Sequence, residues 1–466
     1  MVPFSGRKLV FALLLTALGS VSSPAYTFKT LFIFDGTDGA TPVDTPLVQG
    51  ADGNLYGTTL GGGANGAGTV FKMTAAGTVT TLYSFCSLSN CSDGAGPYGG
   101  ITLASDGNFY GTTSQGGAAN GISGTVFKIT PSGTFTTLHS FGGTDGAFPR
   151  APLIQAANGA LYGITENGGA SNSGTFFRIT TRGTLTTLYS FTGAYLTGPL
   201  VQGTDGNFYG TSEWGGANGY GMIFKLTPSG RFSIPHSFDS TDGSAPACGL
   251  LQASDGNLYG TTYEGGSNNS CPNGCGTVFK ITLAGALTTL HNFNSTDGSN
   301  PIAALIQATD NNFYGTTYGG GTAGDWGTVF KITAAGKVTT LHSFAGTDGA
   351  QPYGPVSQDT SGKLYGTATN GTGTAAQGTL FLVSTGLKPF VRFVRSHGKV
   401  GQTVGILGQG LTGTTSVSFG EAIATFKIRS DTYLTATVPV GATSGHVAVT
   451  TPAASLKSNV PFQVLP

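Results

Sequence analysis

The chain has 466 residues, with 21 basic and 21 acidic side chains, and only 9% of its residues are charged against about 25% in an ordinary domain. Zero net charge at so low a density excludes a nucleic-acid binder working through a basic patch, and a hydrophobic share of 38% excludes a solvated disordered chain. The 78 glycines are spread among aromatic and β-branched residues without a Gly-X-Y period, which excludes collagen and leaves an all-β, turn-rich chain.

Residues 1–25 read as a signal peptide. Arg7 and Lys8 form a positive start, residues 9–18 are a short apolar run, and Ser23-Pro24-Ala25 is a small-residue cleavage site near Ala25. The run is shorter than the roughly 20 residues a membrane span needs, and no later stretch is longer. The expected location is secreted or cell surface, with no membrane span. Export permits disulfides. Cys86 and Cys91 lie in one loop and are expected to pair, and Cys271-Pro-Asn-Gly-Cys275 reads better as a disulfide than as half a zinc site. Cys248 makes the count odd, either as a competitor for Cys271 or Cys275 or as a thiol.

Residues 26–386 are built from one motif written seven times. It runs Thr-Leu-x-Ser-Phe, an Asp-Gly loop, Pro, an apolar run, Asp-Gly-Asn, Leu/Phe-Tyr-Gly-Thr-Thr, Gly-Gly, and Gly-Thr-Val-Phe-Lys-Ile-Thr. Its markers are Tyr56, Tyr110, Tyr162, Tyr209, Tyr259, Tyr314 and Tyr365, spaced 47 to 55 residues apart. In the third copy the strands are expected at 152–155, 161–165, 175–180 and 184–191, with Asn158-Gly159 as a hairpin turn in which both residues tolerate positive φ. Four short strands per period of this length indicate the blade of a β-propeller. The phase adds a further inference. The first copy opens with a fourth-type strand at 27–34, and the seventh ends at its third strand, 379–383. Seven blades balance only if the N-terminal strand completes the last one, which hides two sheet edges.

The Tyr-Gly-Thr-Thr runs and the Gly-Thr-Val-Phe-Lys-Ile-Thr runs, as at 124–130, resemble the GloVer tandem-repeat family of secreted bacterial proteins. The resemblance covers about 360 residues. It implies export and a propeller-like array, and it implies no reaction or ligand.

From residue 387 the composition changes. Residues 388–466 hold seven basic and two acidic side chains, whereas 26–386 hold 12 basic and 19 acidic. Short alternating runs, such as Val417-Ser418-Phe419 and His446-Val447-Ala448-Val449, predict a β-sandwich at 387–466. Gly398, Gly401, Gly408-x-Gly410-Leu411, Val417-x-Phe419-Gly420, Ser430-Asp431, Val438-Pro439, Ser444-Gly445 and Val449-Thr450 resemble the IPT/TIG family, which implies an immunoglobulin-like fold. Some members of that family bind DNA, but no basic groove is evident here and export argues against it, so a spacer or docking role is the expectation.

The candidates for chemistry are few. His139, His236, His291 and His342 share one position in the fourth, outermost strand of their copies, where side chains of different blades diverge, so packing is expected rather than metal binding. Asp38, Asp93, Asp145, Asp242, Asp297 and Asp348 precede glycine in the loops between copies and read as turn residues, since one Asp per loop is too few oxygens for calcium. Lys72, Lys128, Arg178, Lys225, Lys280 and Lys331 read as exposed heads on stems that pack along the sheet. No nucleophile elbow, zinc-protease helix or phosphate loop is present.

One propeller face carries short, uniform turns. The other carries long, variable loops that hold all five cysteines, and loops of that kind on a rigid scaffold usually carry binding. At the ends of the second strands stand Gln115, Glu166, Glu213, Trp214, Tyr263, Glu264 and Tyr318, carboxylates beside aromatics that suit a glycan or a peptide. The expectation is an exported, monomeric, non-catalytic binding or cell-surface interaction protein without cofactor, metal or nucleic-acid partner. The alternatives are a polysaccharide lyase or hydrolase in the propeller mouth and a structural module of an envelope assembly.

Overall fold

The repeated Leu/Phe-Tyr-Gly-Thr-Thr segment is buried at every residue where it forms a strand, for example Leu55–Thr59 and Leu258–Thr262. A strand buried on both faces needs a neighbour on each side, and the architecture supplies it. The computed structural model describes residues 26–43, 46–118, 121–268, 270–371 and 377–465. The expected signal peptide lies outside them. Among the described residues the regular structure is strand apart from one short 3-10 turn, Ser89–Cys91.

Seven four-stranded antiparallel sheets follow one another, numbered here 1 to 7 in order of their marker tyrosines. Sheet 3 is representative: Ile154–Gln155, Leu161–Ile164, Thr175–Ile179 and Leu185–Ser190, hydrogen-bonded in that order. Its first strand is shorter than the sequence pattern suggests, two residues in place of four, as are those of sheets 5 and 6, which have no proline at the place of Pro152. The hairpin turn also differs from expectation. Only Gly159 takes a positive φ, of +82°, and Ala156 N–H bonds Ala160 O, as in a three-residue loop with one left-handed residue.

Two features of the motif explain its repetition. Each Tyr-Gly glycine faces a Phe of the third strand across the ladder, as Gly260 faces Phe279, and a Cβ at Gly260 would fall 2.6 Å from the Phe279 ring tip. Only glycine lets that ring lie flat over the strand. In five sheets the tyrosine hydroxyl then donates to the Asp of the hairpin turn, as Tyr259 does to Asp255 at 2.9 Å, while in sheet 3 Asn158 donates to the Tyr162 hydroxyl. At three junctions the tyrosine ring meets an aromatic of the next sheet, with 4.2 Å between the Tyr56 and Phe109 centroids, 4.5 Å between those of Tyr162 and Phe208 and 4.1 Å between those of Tyr259 and Phe313.

A glutamine in the first strand ties every sheet but sheet 2 to the one before it. Its Oε1 accepts the N–H of the preceding sheet's hairpin turn: Ser105 to Gln155, Ala157 to Gln202, Thr204 to Gln252, Ser254 to Gln307 and Thr309 to Gln358, at 2.8 to 3.3 Å. The series returns on itself, since Thr360 N–H of sheet 7 donates to Gln49 of sheet 1 at 3.0 Å. Sheet 2 has Leu103 at this position, so its junction with sheet 1 lacks the bond. The N-terminal strand β1 (Thr27–Ile33) is the fourth strand of sheet 7. It pairs antiparallel with Thr379–Ser384, from Thr27 opposite Ser384 to Ile33 opposite Thr379.

The C-terminal residues form two further four-stranded sheets on one shared core that includes Val404, Ile406, Val417, Phe419, Leu434, Val447, Val449 and Phe462. This sandwich rests on the hairpin turns of the repeat array. Thr432 donates to Ala51 O at 2.8 Å, Gln409 to the Thr360 hydroxyl at 3.2 Å, and Phe390 N–H to Thr360 O at 3.1 Å. His397 lies against the Ala156 backbone, so turns of sheets 1, 3 and 7 all meet the domain.

Removing residues 26–35 uncovers the edge of Thr379–Ser384 and takes away Phe34, which is fully buried, together with the Phe28 ring stacked 3.5 Å from His342. The expected cost is about 5 kcal/mol or more from lost apolar burial, with aggregation. Calorimetry that finds the same melting temperature with and without the strand would refute closure through it. The domain contact gives a second expectation. Burial and the neighbouring Arg395 push His397 from 6.5 down to about 4. Between those values the unfolded chain binds the proton and the folded chain does not. The stability held with neutral His397 is therefore full above pH 6.5 and is lost as pH falls toward 4, by about 1–3 kcal/mol. The melting-temperature difference between the protein and His397→Gln should shrink or reverse across that window, and a pH-independent difference refutes the assignment.

Candidate functional site

Opposite the sandwich, two sets of repeat positions converge. One is the residue after the loop proline leading into each first strand: Val43, Tyr98, Arg150, Ala247, Ile302 and Tyr353, with Thr197 in sheet 4. The other follows each second strand and includes Glu166, Glu213, Tyr263 and Tyr318. The backbone fixes the second set. Loop residues Phe148, Ala245 and Asn300, held at φ of 50 to 55°, accept through their carbonyls the N–H of Glu166, Tyr263 and Tyr318 at 3.1 Å. Thr41 and Gln351 hold Leu60 and Thr369 in the same way. With Gly96 holding Ser114 in sheet 2, this left-handed backbone recurs in six sheets, so it belongs to the scaffold, while the side chains it presents differ from sheet to sheet.

Those side chains enclose a cavity of ≈ 350 Å³ lined by residues of six sheets, among them Tyr98, Arg150, Tyr195, Thr197, Glu213, Tyr263, Tyr318 and Tyr353. Its wall is traceable contact by contact. Arg150 Nε stands 2.8 Å from Glu166 Oε2, although the contact is not aligned as a hydrogen bond, and the guanidinium lies 5.4 Å from the Tyr98 ring centre. Tyr98 meets Tyr353 edge to face at 6.3 Å, and Tyr353 meets Tyr318 likewise at 6.1 Å. Across the cavity Thr197 donates to Glu213 Oε1 at 3.1 Å. Burial raises the Glu166 carboxyl above its ordinary range against the opposing pull of Arg150. Burial also raises Glu213, against its bond from Thr197, and Glu166 adds to the rise. Tyr195 and Tyr263 are raised by burial and by the neighbouring carboxylates.

A second cavity of ≈ 470 Å³ adjoins the first between the loops of sheets 4 and 5, and Glu213 and Ala245 line both. Trp214, Tyr220, Glu264 and Asn273 line it further, and the Trp214 ring is 59% exposed. Of the residues singled out from sequence, the structure brings Glu213, Tyr263 and Tyr318 to the first cavity and Glu213, Trp214 and Glu264 to the second. Glu166 is buried and engaged by Arg150. Gln115 is exposed and lines neither cavity. Tyr98, Arg150, Thr197 and Tyr353 were missed, although their shared place after the loop proline was a usable signal. Tyr195 had none, because the fourth copy is shortened there.

The other polar groups act in the scaffold. His139, His236, His291 and His342 each pair through Nε2 with Asp145, Asp242, Asp297 and Asp348 at 2.7 to 2.9 Å. The second oxygen of each Asp accepts a loop N–H, as from Gly142 to Asp145 at 2.8 Å. Lys225 and Lys331 form ion pairs with Asp205 and Asp310 at 2.9 Å. Cys86 is bonded to Cys91 and Cys271 to Cys275, while Cys248 joins neither bridge and directs Sγ to Thr261 O at 3.0 Å. Among the described residues no three His, Cys, Asp or Glu side chains are grouped to hold a metal ion.

The family model of the Gloeobacter/Verrucomicrobia repeat matches residues 19–201 and 195–426. Among solved structures the chain is similar to virginiamycin B lyase from Staphylococcus aureus, with 15% identity and a TM-score of 0.53 over 77% of this chain and 99% of that one. It is also similar to a fungal alcohol oxidase solved in complex with copper, with 13% identity and a TM-score of 0.52 over 93% of this chain and 99% of that one. At such identities the likeness is one of fold, all-β and propeller-like. No curated protein matches the chain.

The Arg150–Glu166 pair makes the wall testable. Arg150→Met leaves a buried carboxylate without its cation and should cost about 2–4 kcal/mol, whereas adding Glu166→Leu should restore most of that loss. Denaturant melts of the two single variants and the double variant measure the coupling, and simple additivity would show that the pair is not a unit.

Proposed function

We propose that this chain, which belongs to the Gloeobacter/Verrucomicrobia repeat family, is an exported, non-catalytic binding protein that holds a glycan on the long-loop face. It is a seven-bladed propeller closed by its first strand. Its C-terminal sandwich is an immunoglobulin-like module of IPT/TIG type, and residues 1–25 are the export signal. Two disulfides suit an oxidising compartment.

One observation carries the binding reading: the tyrosine-lined mouth and the Trp214 cavity are contiguous through Glu213. Together they offer what a sugar chain needs, aromatic faces for stacking and fixed polar groups for hydroxyls. Glycosidic hydrolysis usually employs two carboxyl groups flanking one bond. In the mouth Glu166 is engaged by Arg150 and Glu213 is the one lining carboxyl, which favours binding over cleavage there; Glu264 joins Glu213 only in the adjoining cavity.

A glycan array probed with the mature protein, followed by titration of each hit through tryptophan fluorescence, tests this. Trp214→Ala should weaken binding by about 1–3 kcal/mol if the ring is a hot spot. Asn257→Ala, in a hairpin turn on the opposite face, should leave affinity unchanged. An array without hits, or a ligand sensitive to Asn257 and indifferent to Trp214, overturns the proposal. Release of new reducing ends from a bound glycan would replace it with the enzyme reading.

A further inference from the structure

The mouth holds a carboxylate whose charge is not balanced where it stands. Glu213 receives one hydroxyl bond, from Thr197, and among the described residues it forms no ion pair. Arg150 attracts Glu213 without pairing with it, because its guanidinium is engaged with Glu166 on one side and lies over the Tyr98 ring on the other. A carboxylate drawn out of water without a counter-ion is costly, and a cation bound beside it offsets that cost.

The rest of the wall suits such a cation. Consecutive rings stand nearly perpendicular, 88° between Tyr98 and Tyr353 and 89° between Tyr353 and Tyr318, with Tyr195 and Tyr263 completing the lining. Aromatic faces set at right angles around a small space attract a cation electrostatically, most of all a weakly hydrated one. Arg150 over Tyr98 already makes one such contact within this wall.

From the cavity, its perpendicular rings and the unpaired carboxylate, we infer that the mouth binds an ammonium group, with Glu213 as its counter-ion and the tyrosines as its cage. The inference rests on the part of that reading that makes the mouth a binding site, not on the glycan, and deepens it by naming the chemistry of the group seated there. Two sources carry that chemistry: the free amine of a de-acetylated hexosamine and a quaternary ammonium such as choline.

The mature protein, with both domains and its disulfides intact, is titrated calorimetrically with glucosamine, N-acetylglucosamine, choline, and the neutral choline isostere 3,3-dimethylbutanol. One cation of the set should bind about tenfold or more tightly than its neutral counterpart. Preference for glucosamine identifies the amino sugar, and preference for choline the quaternary source. Glu213→Gln should abolish most of that preference, and Tyr318→Leu should weaken the cation while sparing the overall fold, which an unchanged melting temperature verifies. Should Tyr318→Leu fail to fold, Tyr263→Leu replaces it. Equal affinity for cation and neutral isostere, a preference that survives Glu213→Gln, or no binding of either cation overturns the inference. If glycan-array hits persist in those cases, the glycan reading stands without it. If a cation binds but no glycan does, the cation inference stands and the glycan reading falls.

Discussion

Sheets whose second strands are buried on both faces cannot stop at an end. Each needs another sheet before it and another behind it, and a finite chain meets that demand only by returning to its start. The pairing of Thr27–Ile33 with Thr379–Ser384 is that return in the backbone. The bond from Thr360 N–H to Gln49 repeats it in the side chains. Phe28, on the N-terminal strand, lies in one core with Phe344 and Phe381, residues more than 300 positions later. Buried contacts between the ends of a long chain carry a high loop-closure cost during folding, so this junction is also the one most exposed to mispairing before it forms.

A closed array separates positions that must recur from positions that need not. The Tyr-Gly glycine and the Phe opposite it answer a local steric demand in every sheet, and the turn Asp and the first-strand glutamine answer hydrogen-bonding demands in all but one sheet each, where Asn158 and Leu103 stand instead. The residues that reach the mouth answer none. They project from a backbone already fixed by left-handed loop residues such as Phe148 and Ala245. Sheet 1 contributes Val43 and Leu60 at these positions and sheet 3 contributes Arg150 and Glu166. The asymmetry of the site is therefore built on a symmetric frame, which leaves its chemistry free of the stability of the array except where a charge is buried, as at Glu166.

How far the sequence could be read follows the same division. The seven sheets and their closure were legible because local rules, strand length, turn residues and edge protection act within one repeat or count across repeats. The partners of the histidines were not. His139 was expected to pack, yet it binds Asp145 six residues on, and the pairing depends on a loop shape that residue types alone do not specify. At the mouth, the second-strand ends were legible as a set and the post-proline set was overlooked. Gln115 was grouped with the site because it ends a strand, but it stands one residue beyond the inward position, which Ser114 fills. A shift of one residue turns a side chain to the other face. The seat of the sandwich left no trace in the pattern, since Ala51, Ala156 and Thr360 are ordinary turn residues whose partners lie far away in sequence.

That seat has a consequence for the site. The sandwich touches turns of sheets 1, 3 and 7, which do not adjoin as a group, so it lies across the turn face rather than at its edge. The mouth and the Trp214 cavity are then open from the loop side. The charges agree with this division. The basic tail of the chain occupies one face of a repeat array that holds more acids than bases, and Glu213 and Glu264 remain at the other. Screening limits such attraction to about 10 Å at ordinary ionic strength. The charge imbalance therefore assists docking of the sandwich at contact, while on the proposed function the rings of the mouth and Glu213 would select the ligand.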